Sequence, residues 1–545
     1  MRRTMLILST LTTLASPLCA ATFEPARIAP DLGLDALTRG VARAQLGRDV
    51  FATPWSAVTI GTTDVYDVFP YVETRTIEIV ADPRWNRLVA GEPGRALRAY
   101  DGRGTALGAL SDPRGMDVDD RNRVYVADAG NDRVVVLQVS TEFADARMTP
   151  LYEIRGLHHP QDVALSDGGT PFAPDDDVLY VADTGANRIV AYALGGAAPR
   201  AIAEIGSLGG GAGHFAGPMA IAAGRDGGVS SRDVYVADAH SRRLVRLRLE
   251  DGALRWISDV HHDADVVTSL DTDAWGNLYA AAPNQGVVRK FNPDLAPVAE
   301  LRGGLSRPRS FHVPFVTVRD HRDGRVMRQG RPSGVSVSTW DDTHGIGLWT
   351  LGLEVSDLAL AAGTPAARFT LTDAADVSIE ITDAGGQSRA RQSAGVLAAG
   401  AHAVTLSPAM LAAAAGGSDL VLRVSAASRY PQAPGATART AFRLAGGAAV
   451  LPSRPVLLGT TPSPAVSRAR IAYVLPDGVT GRAKLRVFDS MGRELCAVDA
   501  PAGPGRHEVT WDGRARGGAA APAGVYFYSL EAGALRANDR LVLVR

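Results

Sequence analysis

The chain is poor in cysteine and in lysine. Its 545 residues include two cysteines, Cys19 and Cys496, and two lysines, Lys290 and Lys484. With so few thiols, a disulfide-stapled fold and a zinc site built from cysteines are excluded. Arginine supplies nearly all of the positive charge, and the formal net charge is −1. A balance this close to zero gives no overall electrostatic attraction to nucleic acid or to an anionic membrane.

The chain also lacks any apolar run of the roughly 20 residues that a transmembrane helix needs. The apolar run from Met5 to Leu14 is shorter, follows two arginines and precedes small residues at Ala20 and Ala21. This order is typical of an export signal that is removed by cleavage. We therefore predict a signal peptide at residues 1–21, an N-terminal extension at residues 22–54, and a final location outside the cell, on its surface or in the periplasm.

Cys19 offers an alternative to simple cleavage. A lipoprotein would carry its lipid on this cysteine, but Leu18 directly before it is larger than the small residue that such a site prefers. If Cys19 leaves with the signal peptide, Cys496 alone remains, and no disulfide can form within the chain.

What the chain does contain is an internal repeat. The sequence Tyr-Val-Ala-Asp, followed by a short turn and an arginine, occurs three times, and a weaker copy comes after it. The tyrosines of these copies are Tyr125, Tyr180, Tyr235 and Tyr279, at spacings of 55, 55 and 44 residues. Each copy consists of a β-prone run, a turn and a second β-prone run. A period of about 40–50 residues with such units is typical of propeller blades.

A further short segment precedes each strong copy and begins with a proline, namely Pro113, Pro160 or Pro218. We interpret these segments as inner strands, because a proline at the start of a strand removes no hydrogen bond from the ladder. One such sheet cannot bury both of its faces, so the units must pack around a common axis.

The pattern Pro-x-Gly/Asp, then Tyr-Val-Ala-Asp-x-Gly-Asn-x-Arg, resembles the NHL family of β-propellers over residues 55–355. We assign a degenerate first blade to Asn86–Glu92, aligned with the Asn-Arg-Val-Tyr-Val-Ala-Asp segment of the first strong copy. A degenerate last blade is assigned to Gly334–Leu351, with a turn at Asp341–Gly345. Together these assignments predict six blades, with Trp55–Gly61 as the strand that closes the ring.

After residue 355, short alternating strands separated by glycine turns predict two tandem β-sandwiches, at residues 356–450 and 451–545. The second closely resembles the immunoglobulin-like domain of the flagellar hook-capping protein FlgD, which is similar to type IX secretion sorting domains. The residues that carry this resemblance are Val487–Glu494, Gly505–Gly513, Pro522–Leu530 and Leu541–Arg545. The first sandwich is a diverged likeness of the second. The predicted fold is therefore all-β: a six-bladed NHL-like β-propeller followed by two immunoglobulin-like β-sandwich domains.

An aspartate and an arginine five residues apart recur in the three strong copies: Asp128 with Arg133, Asp183 with Arg188, and Asp238 with Arg243. Such a ring of charges could bind a ligand. We interpret it as structural, because the aspartate can accept backbone N–H groups of its turn and the arginine can bridge to it. A catalytic constellation would also break the repeat, whereas these pairs follow it.

Histidine is concentrated in the predicted propeller, which holds nine of the chain's 11. His159, His214, His262 and Asp265 lie shortly before inner strands, at one mouth of the predicted channel, where side chains from different blades converge. These four are the candidate binding residues. No catalytic residue and no cofactor is predicted. Zn²⁺ or Ca²⁺ at this mouth is the open alternative, since histidines and carboxylates from several blades could ligate a metal.

These features predict an exported bacterial protein whose propeller binds a protein, a peptide or a glycan. Its last domain would attach it to the cell surface or engage the secretion machinery. The alternative is a metal-dependent lyase or hydrolase with its site in the channel, because the resemblance extends to amidating lyases and lactonases. A third possibility is a structural spacer, which a narrow channel filled by blade side chains would favour. The fold alone does not decide among them.

Overall fold

The computed structural model describes residues 21–22, 55–65 and 72–544, with gaps inside the last range. The gaps are residues 93–96, 142–145, 227–228, 264–265, 302–306, 314, 321–324, 331–334, 340–345, 350–352, 361–365, 384–385, 416–417, 430–434, 446–447, 467 and 480. Residues 1–20 of the predicted signal peptide, Asp265 and the predicted turn at Asp341–Gly345 therefore lie outside the described residues. In the described parts of the chain, no helix has the length and apolarity that crossing a membrane requires.

Strands dominate the N-terminal part. They are β1 (Ala21–Thr22), β2 (Ala57–Val65), β3 (Val72–Asp82), β4 (Arg87–Gly91), β5 (Arg98–Tyr100), β6 (Pro113–Val118), β7 (Arg123–Asp128), β8 (Arg133–Val139), β9 (Met148–Ile154), β10 (Asp162–Ser166), β11 (Val178–Asp183), β12 (Arg188–Ala193), β13 (Arg200–Ile205), β14 (Pro218–Asp226), β15 (Val229–Asp238), β16 (Arg243–Glu250), β17 (Ala253–His261), β18 (Ser269–Thr272), β19 (Leu278–Ala282), β20 (Val287–Phe291), β21 (Pro297–Leu301), β22 (Pro308–His312), β23 (Phe315–Asp320), β24 (Arg325–Gly330), β25 (Val335–Thr339) and β26 (Ile346–Trp349).

The repeat forms antiparallel sheets of four consecutive strands, β6–β9, β10–β13, β14–β17 and β18–β21, the last extended at its edge by β1. The repeated tyrosines occupy the same place in these blades, the second strand, and each is at most 2% exposed. Tyr125, for example, packs in one apolar cluster with Leu179 and Val181 of the next blade. The tyrosines are thus rotationally equivalent, because each fills the contact between its blade and a neighbour.

The innermost strands β2, β6, β10, β14, β18 and β22 contact one another in cyclic order, and β22 closes the ring against β2. This part of the chain is a β-propeller, which confirms the predicted all-β fold. The count of six blades stays a prediction. In the described residues, β22 forms a sheet with β25 and β26 alone, and the blade β2–β5 carries the additional strands β23 and β24.

The first blade differs from the sequence alignment. The segment equivalent to Tyr-Val-Ala-Asp is not Asn86–Glu92 but the end of β3. There Asp82 stands in the place of the repeated aspartate and pairs with Arg87, five residues later. Ile79 stands in the place of the repeated tyrosine. Without the Tyr-Val-Ala-Asp signature, the sequence alignment placed the first blade's copy too far along the chain. The predicted closing strand is β2, the innermost strand of this blade, and it pairs in parallel with β23 near the end of the propeller.

The C-terminal part contains β27 (Val355–Leu360), β28 (Ala366–Leu371), β29 (Ala375–Asp383), β30 (Ser388–Leu397), β31 (Gly400–Thr405), α1 (Pro408–Ala414), β32 (Leu420–Ser428), β33 (Ala436–Ala445), β34 (Ala448–Val450), β35 (Val456–Val466), β36 (Arg468–Leu475), β37 (Ala483–Phe488), β38 (Glu494–Ala500), β39 (Gly505–Trp511), β40 (Gly524–Ala532) and β41 (Leu535–Val544). Strands β27, β28 and β31 form one sheet, and β30, β29, β32, β33 and β34 form a second. Alternating apolar residues of both sheets, such as Phe369, Ile379 and Leu422, share one core, as in a β-sandwich.

The last seven strands form one sheet in the order β38-β37-β40-β41-β35-β36-β39. Its two edge strands, β38 and β39, contact each other, so the sheet wraps around its own core. Trp511 lies fully buried in this core beside Tyr473 and Tyr528. The period-2 alternation of buried and exposed residues along β37, β39 and β40 is the pattern that predicted these strands.

The propeller and the middle sandwich meet at a buried ionic contact. Nζ of Lys290 lies 3.3 Å from the carboxylate of Asp373 in the sandwich and 3.7 Å from that of Asp273 in the propeller. Asn277 donates from its amide to both carboxylates, at 2.8 and 3.2 Å. Burial raises the pKa of Asp373 to about 6, although the charge of Lys290 opposes this. One of the two lysines of the chain therefore joins two domains.

Candidate functional site

The repeated aspartate–arginine pairs fix the loop that leads into the inner strand of their own blade. One oxygen of each aspartate accepts a backbone N–H of that loop, and the other accepts Nε of the arginine. The loop contacts are Ser111 to Asp128 (2.7 Å), His158 to Asp183 (2.6 Å) and Ala216 to Asp238 (2.7 Å). The arginine contacts are Arg133 (2.6 Å), Arg188 (2.8 Å) and Arg243 (3.1 Å). The arginines also donate to loop carbonyl groups such as those of Leu107, Gly156 and Gly210. All these partners belong to the chain itself.

The three described candidate histidines lie in separate loops between blades. His159 lies between β9 and β10, His214 between β13 and β14, and His262 between β17 and β18. Nδ1 of His159 is 3.1 Å from the carbonyl oxygen of Ala129, and Nδ1 of His214 is 2.8 Å from the hydroxyl of Ser207. The backbone N–H of His262 donates to the carbonyl of Arg242. No contact among the described residues brings these histidines together.

His159 occupies a turn position of the repeat. Its φ is 50°, and the residues in the same place before the other inner-strand prolines, Asp112, Gly217 and Arg307, also have positive φ. A turn with left-handed backbone thus begins each of these inner strands. Among the residues that the structure describes, no group of three or more histidine, cysteine, aspartate or glutamate side chains could hold a metal ion.

Inside the channel, aspartates join neighbouring inner strands. One carboxylate oxygen of Asp117, Asp162 and Asp271 accepts the N–H of the following residue. The other accepts an N–H of the next inner strand or, for Asp271, of the residue directly after that strand. These cross-strand donors are Leu165 (2.7 Å), Ile221 (3.0 Å) and Val313 (2.7 Å). Burial raises the pKa of Asp117 and raises that of Asp162 well above its usual range. The carboxylates are therefore part of the framework of the ring.

His312 lines the channel. Its Nδ1 lies 3.0 Å from the carboxylate of Asp271. Burial alone would lower the pKa of His312, but the hydrogen bond and charge of Asp271, with the charges of Asp117 and Glu78, raise it. The channel around it holds cavities of about 30 and 20 Å³, which share Asp117, Arg225 and His312 in their walls. Each has room for about one water molecule, so neither of these two cavities could hold a larger ligand in this conformation.

The mouth at which the inner strands begin, called the N-terminal mouth below, carries a cluster that the sequence analysis missed. The guanidinium Cζ of Arg114, on β6, lies 3.9 Å from the ring centre of Trp55, and Cζ of Arg309, on β22, lies 4.3 Å from it. Trp55 lies two residues before β2, and β22, β2 and β6 are neighbours in the ring, so the three residues come from adjacent parts of the ring. Burial, and then the charge of Arg114, lower the pKa of Arg309 to about 10.

A sequence signal for this cluster exists. Each of its residues directly follows a proline, in the segments Pro54-Trp55, Pro113-Arg114 and Pro308-Arg309, and the residue after the proline is Gln161 before β10 and Met219 in β14. Among the five inner strands that a proline introduces, the position is therefore cationic or aromatic in three neighbouring strands and neutral in the other two. An alignment of the prolines, in place of the tyrosines, would have shown it.

At the opposite end of the propeller, a buried carboxylate lies among like charges. Asp177 precedes β11, and burial, with the charges of Asp120 and Asp119, raises its pKa to about 7. An unfolded aspartate titrates near 3.9. Between these two pKa values, Asp177 is protonated in the folded state but ionised in the unfolded chain. The free energy of unfolding therefore falls as the pH rises from about 4 to about 7.

We expect Asp177→Asn to raise the free energy of unfolding at pH 8 by on the order of 2 kcal/mol, because the amide removes this unfavourable buried charge. The gain should vanish at about pH 2–3, below the unfolded pKa of about 3.9, where wild-type Asp177 is protonated in both states. Urea unfolding at the two pH values measures the difference. Asp175→Asn, at an exposed neighbour, is the matched control, and an equal gain at both pH values would contradict the assigned titration.

Comparison with known sequences identifies an NHL repeat at residues 110–137, which span β6, β7 and most of β8. A search of curated proteins finds no match.

Among solved structures, this chain is similar to virginiamycin B lyase from Staphylococcus aureus, in a catalytically inactive form with quinupristin. The identity is 10%, the match covers 55% of this chain and 95% of that one, and the TM-score is 0.34. For a gluconolactonase from Xanthomonas campestris the values are 13%, 60%, 96% and 0.34. For the calcium-binding protein regucalcin from Agrobacterium tumefaciens they are 14%, 55%, 93% and 0.32. Identities and scores this low say nothing about the activity of this chain.

Proposed function

We propose that the propeller is a binding module for a macromolecular ligand, a protein, a peptide or a glycan, which it contacts at the N-terminal mouth. The observation that carries this proposal is the break in the repeat at that mouth. Trp55, Arg114 and Arg309 stand where other blades have glutamine and methionine. The aspartate–arginine pairs follow the repeat, as a framework does, whereas a recognition surface has to present different groups on different sides.

The small size of the cavities in the channel favours a binding site on the surface of the mouth over a binding site inside the channel. Pockets for drug-sized ligands have volumes of roughly 300–1,000 Å³, far more than the cavities inside the ring. A ligand that contacts the mouth needs no such volume. Tryptophan and arginine are also the residues that most often dominate the energy of protein interfaces. The mouth therefore has the chemistry of a contact surface, and the interior has that of a packed core.

The proposed setting of this module is outside the cytoplasm. The residues of the signal peptide support export, and the resemblance of residues 451–545 to the FlgD-like immunoglobulin-like domain supports a role in attachment or sorting. The propeller would then present its N-terminal mouth to a ligand while the C-terminal domain engages the cell surface or the secretion machinery.

Arrays of peptides and glycans, probed with the full-length mature protein, test this function. Met219→Trp places an indole on the neutral side of the N-terminal mouth and should weaken the binding of any ligand there at least about tenfold. Arg121→Trp adds the same indole to an exposed turn between β6 and β7, at the opposite mouth, and should leave binding unchanged.

Two results would contradict the proposal. One is binding that Met219→Trp does not alter. The other is a protein that binds nothing on the arrays but carries one equivalent of Zn²⁺ or Ca²⁺ as purified, which would favour the metal-dependent lyase or hydrolase.

A further inference from the structure

Two guanidinium groups share one indole at the N-terminal mouth. Since Arg114 and Arg309 both lie against Trp55, at 3.9 and 4.3 Å from its ring centre, their charges are held close together, and like charges at such a separation repel. The lowered pKa of Arg309, to which the charge of Arg114 contributes, is a sign of this repulsion. An anion placed between the two groups would relieve it.

The cluster is also organised in advance for planar anions. A guanidinium presents a flat fork of N–H donors that matches a carboxylate in two parallel hydrogen bonds. Contact with the indole restricts the orientation of both forks before a ligand arrives, so less side-chain entropy is lost on binding. Arg114 already pairs with one carboxylate, because its Nη2 donates a single hydrogen bond to Asp112 at 2.8 Å. The side chains of Arg114 and Asp112 are both partly exposed, so an incoming carboxylate can exchange with Asp112.

We infer that Arg114, Arg309 and Trp55 form a carboxylate-binding site for an acidic peptide segment of a partner protein. This inference rests on the proposed function and names its ligand. The chemistry favours a peptide over a glycan, because both guanidinium groups already engage the indole that a sugar ring would need for stacking. It favours a short acidic peptide over nucleic acid because two guanidinium groups match a few carboxylates, whereas nucleic-acid binding uses an extended basic surface, which a net charge of −1 does not indicate. Adjacent aspartate or glutamate side chains could contact both guanidinium forks at once.

The test uses fluorescence anisotropy with a fluorescein-labelled hexaglutamate peptide and the full-length mature protein at low salt. Hexaglutamate should bind at least about tenfold more tightly than hexaglutamine, and the binding should weaken with added salt. Arg114→Gln should lower the affinity about tenfold, and Arg114→Lys should lower it less, because lysine keeps the charge but loses the fork. Arg121→Gln, at an exposed arginine of the opposite mouth, should have no effect.

Arg309 is more buried than Arg114, so its glutamine variant risks misfolding. Arg309→Lys therefore tests the second guanidinium group and should lower the affinity for hexaglutamate several-fold. The variant counts as folded if its circular dichroism and melting temperature match those of the wild type. The pair of arginine variants then shows whether both forks contribute.

Equal binding of hexaglutamate to the wild type and to Arg114→Gln would overturn the site, as would equal binding of hexaglutamate and hexaglutamine. Tighter, Arg114-dependent binding of polygalacturonate would overturn the assignment to a peptide. These failures are distinct from failure of the proposed function, because Met219→Trp reports on any ligand at the mouth, whatever its charge.

Discussion

Asp128→Ala should destabilise the propeller by about 3–5 kcal/mol, the usual loss when one partner of a buried ion pair is removed. Asp128 is fully buried, and the side chain of Arg133 is 4% exposed. The carboxylate accepts hydrogen bonds from Arg133, from the backbone N–H of Ser111 and from the amide of Asn131. Alanine would leave all three donors without this acceptor, and the guanidinium would keep only Glu153, at 2.7 Å, as a close countercharge. Urea unfolding followed by far-ultraviolet circular dichroism measures the loss.

The equivalent pair in the next blade provides a graded comparison. The side chain of Arg188 is 26% exposed, so water can solvate its charge once Asp183 is gone. Asp183→Ala should therefore cost less than Asp128→Ala. Asp226→Ala, at an exposed aspartate of β14, is the control and should change stability by less than about 0.5 kcal/mol. A loss at Asp128 no larger than at Asp226 would refute the structural role of the pairs.

Trp511→Ala should destabilise the last domain by about 3–5 kcal/mol, the usual loss for a buried tryptophan. The indole is fully buried, contacts Tyr526 edge-on at 5.3 Å between ring centres, and donates from Nε1 to the carbonyl oxygen of Arg514 at 2.9 Å. Alanine would leave a cavity among these groups and remove the hydrogen bond. Urea unfolding and limited proteolysis should both show the last domain opening first, with the propeller still folded.

Phe527→Ala is the matched control for Trp511, because Phe527 is an aromatic residue of the same sheet that is 46% exposed. It should cost less than about 1 kcal/mol. If Trp511→Ala unfolded the whole chain in a single transition, the last sheet would not be an independent folding unit.

The propeller could be predicted because its evidence is local and repeated. Each strong copy encodes a strand, a turn and a strand within a few residues, and the spacing of Tyr125, Tyr180 and Tyr235 reports the size of the unit. The strands after residue 355 were found from period-2 alternation for the same reason. The first blade was misaligned because its signature tyrosine is replaced by Ile79, and with it the most distinctive side chain of the pattern was lost.

The candidate site was harder to predict, because a channel mouth is formed by residues far apart in the chain. Proximity to an inner strand singled out His159, yet its backbone adopts the left-handed turn that the blades share. The guanidinium cluster joins residues 55, 114 and 309, and no local pattern links positions so distant. Only the prolines before these residues indicate that they occupy equivalent positions in their blades. Equivalent positions place the residues at the same end of the propeller, but they do not show that the side chains touch.

The sequence by itself determined the all-β class, the repeating blade and the change in architecture near residue 355, because hydrogen-bonded strands and turns depend on neighbouring residues and their alternation. The tertiary structure decided how the ring closes, how narrow its channel is, and which side chains meet at its mouth. It also placed Lys290 between two carboxylates of different domains. These features depend on how strands that are distant in the chain pack against each other. A shift of a few ångströms makes or breaks such a contact, and the spacing of residues in the sequence does not report distances between side chains.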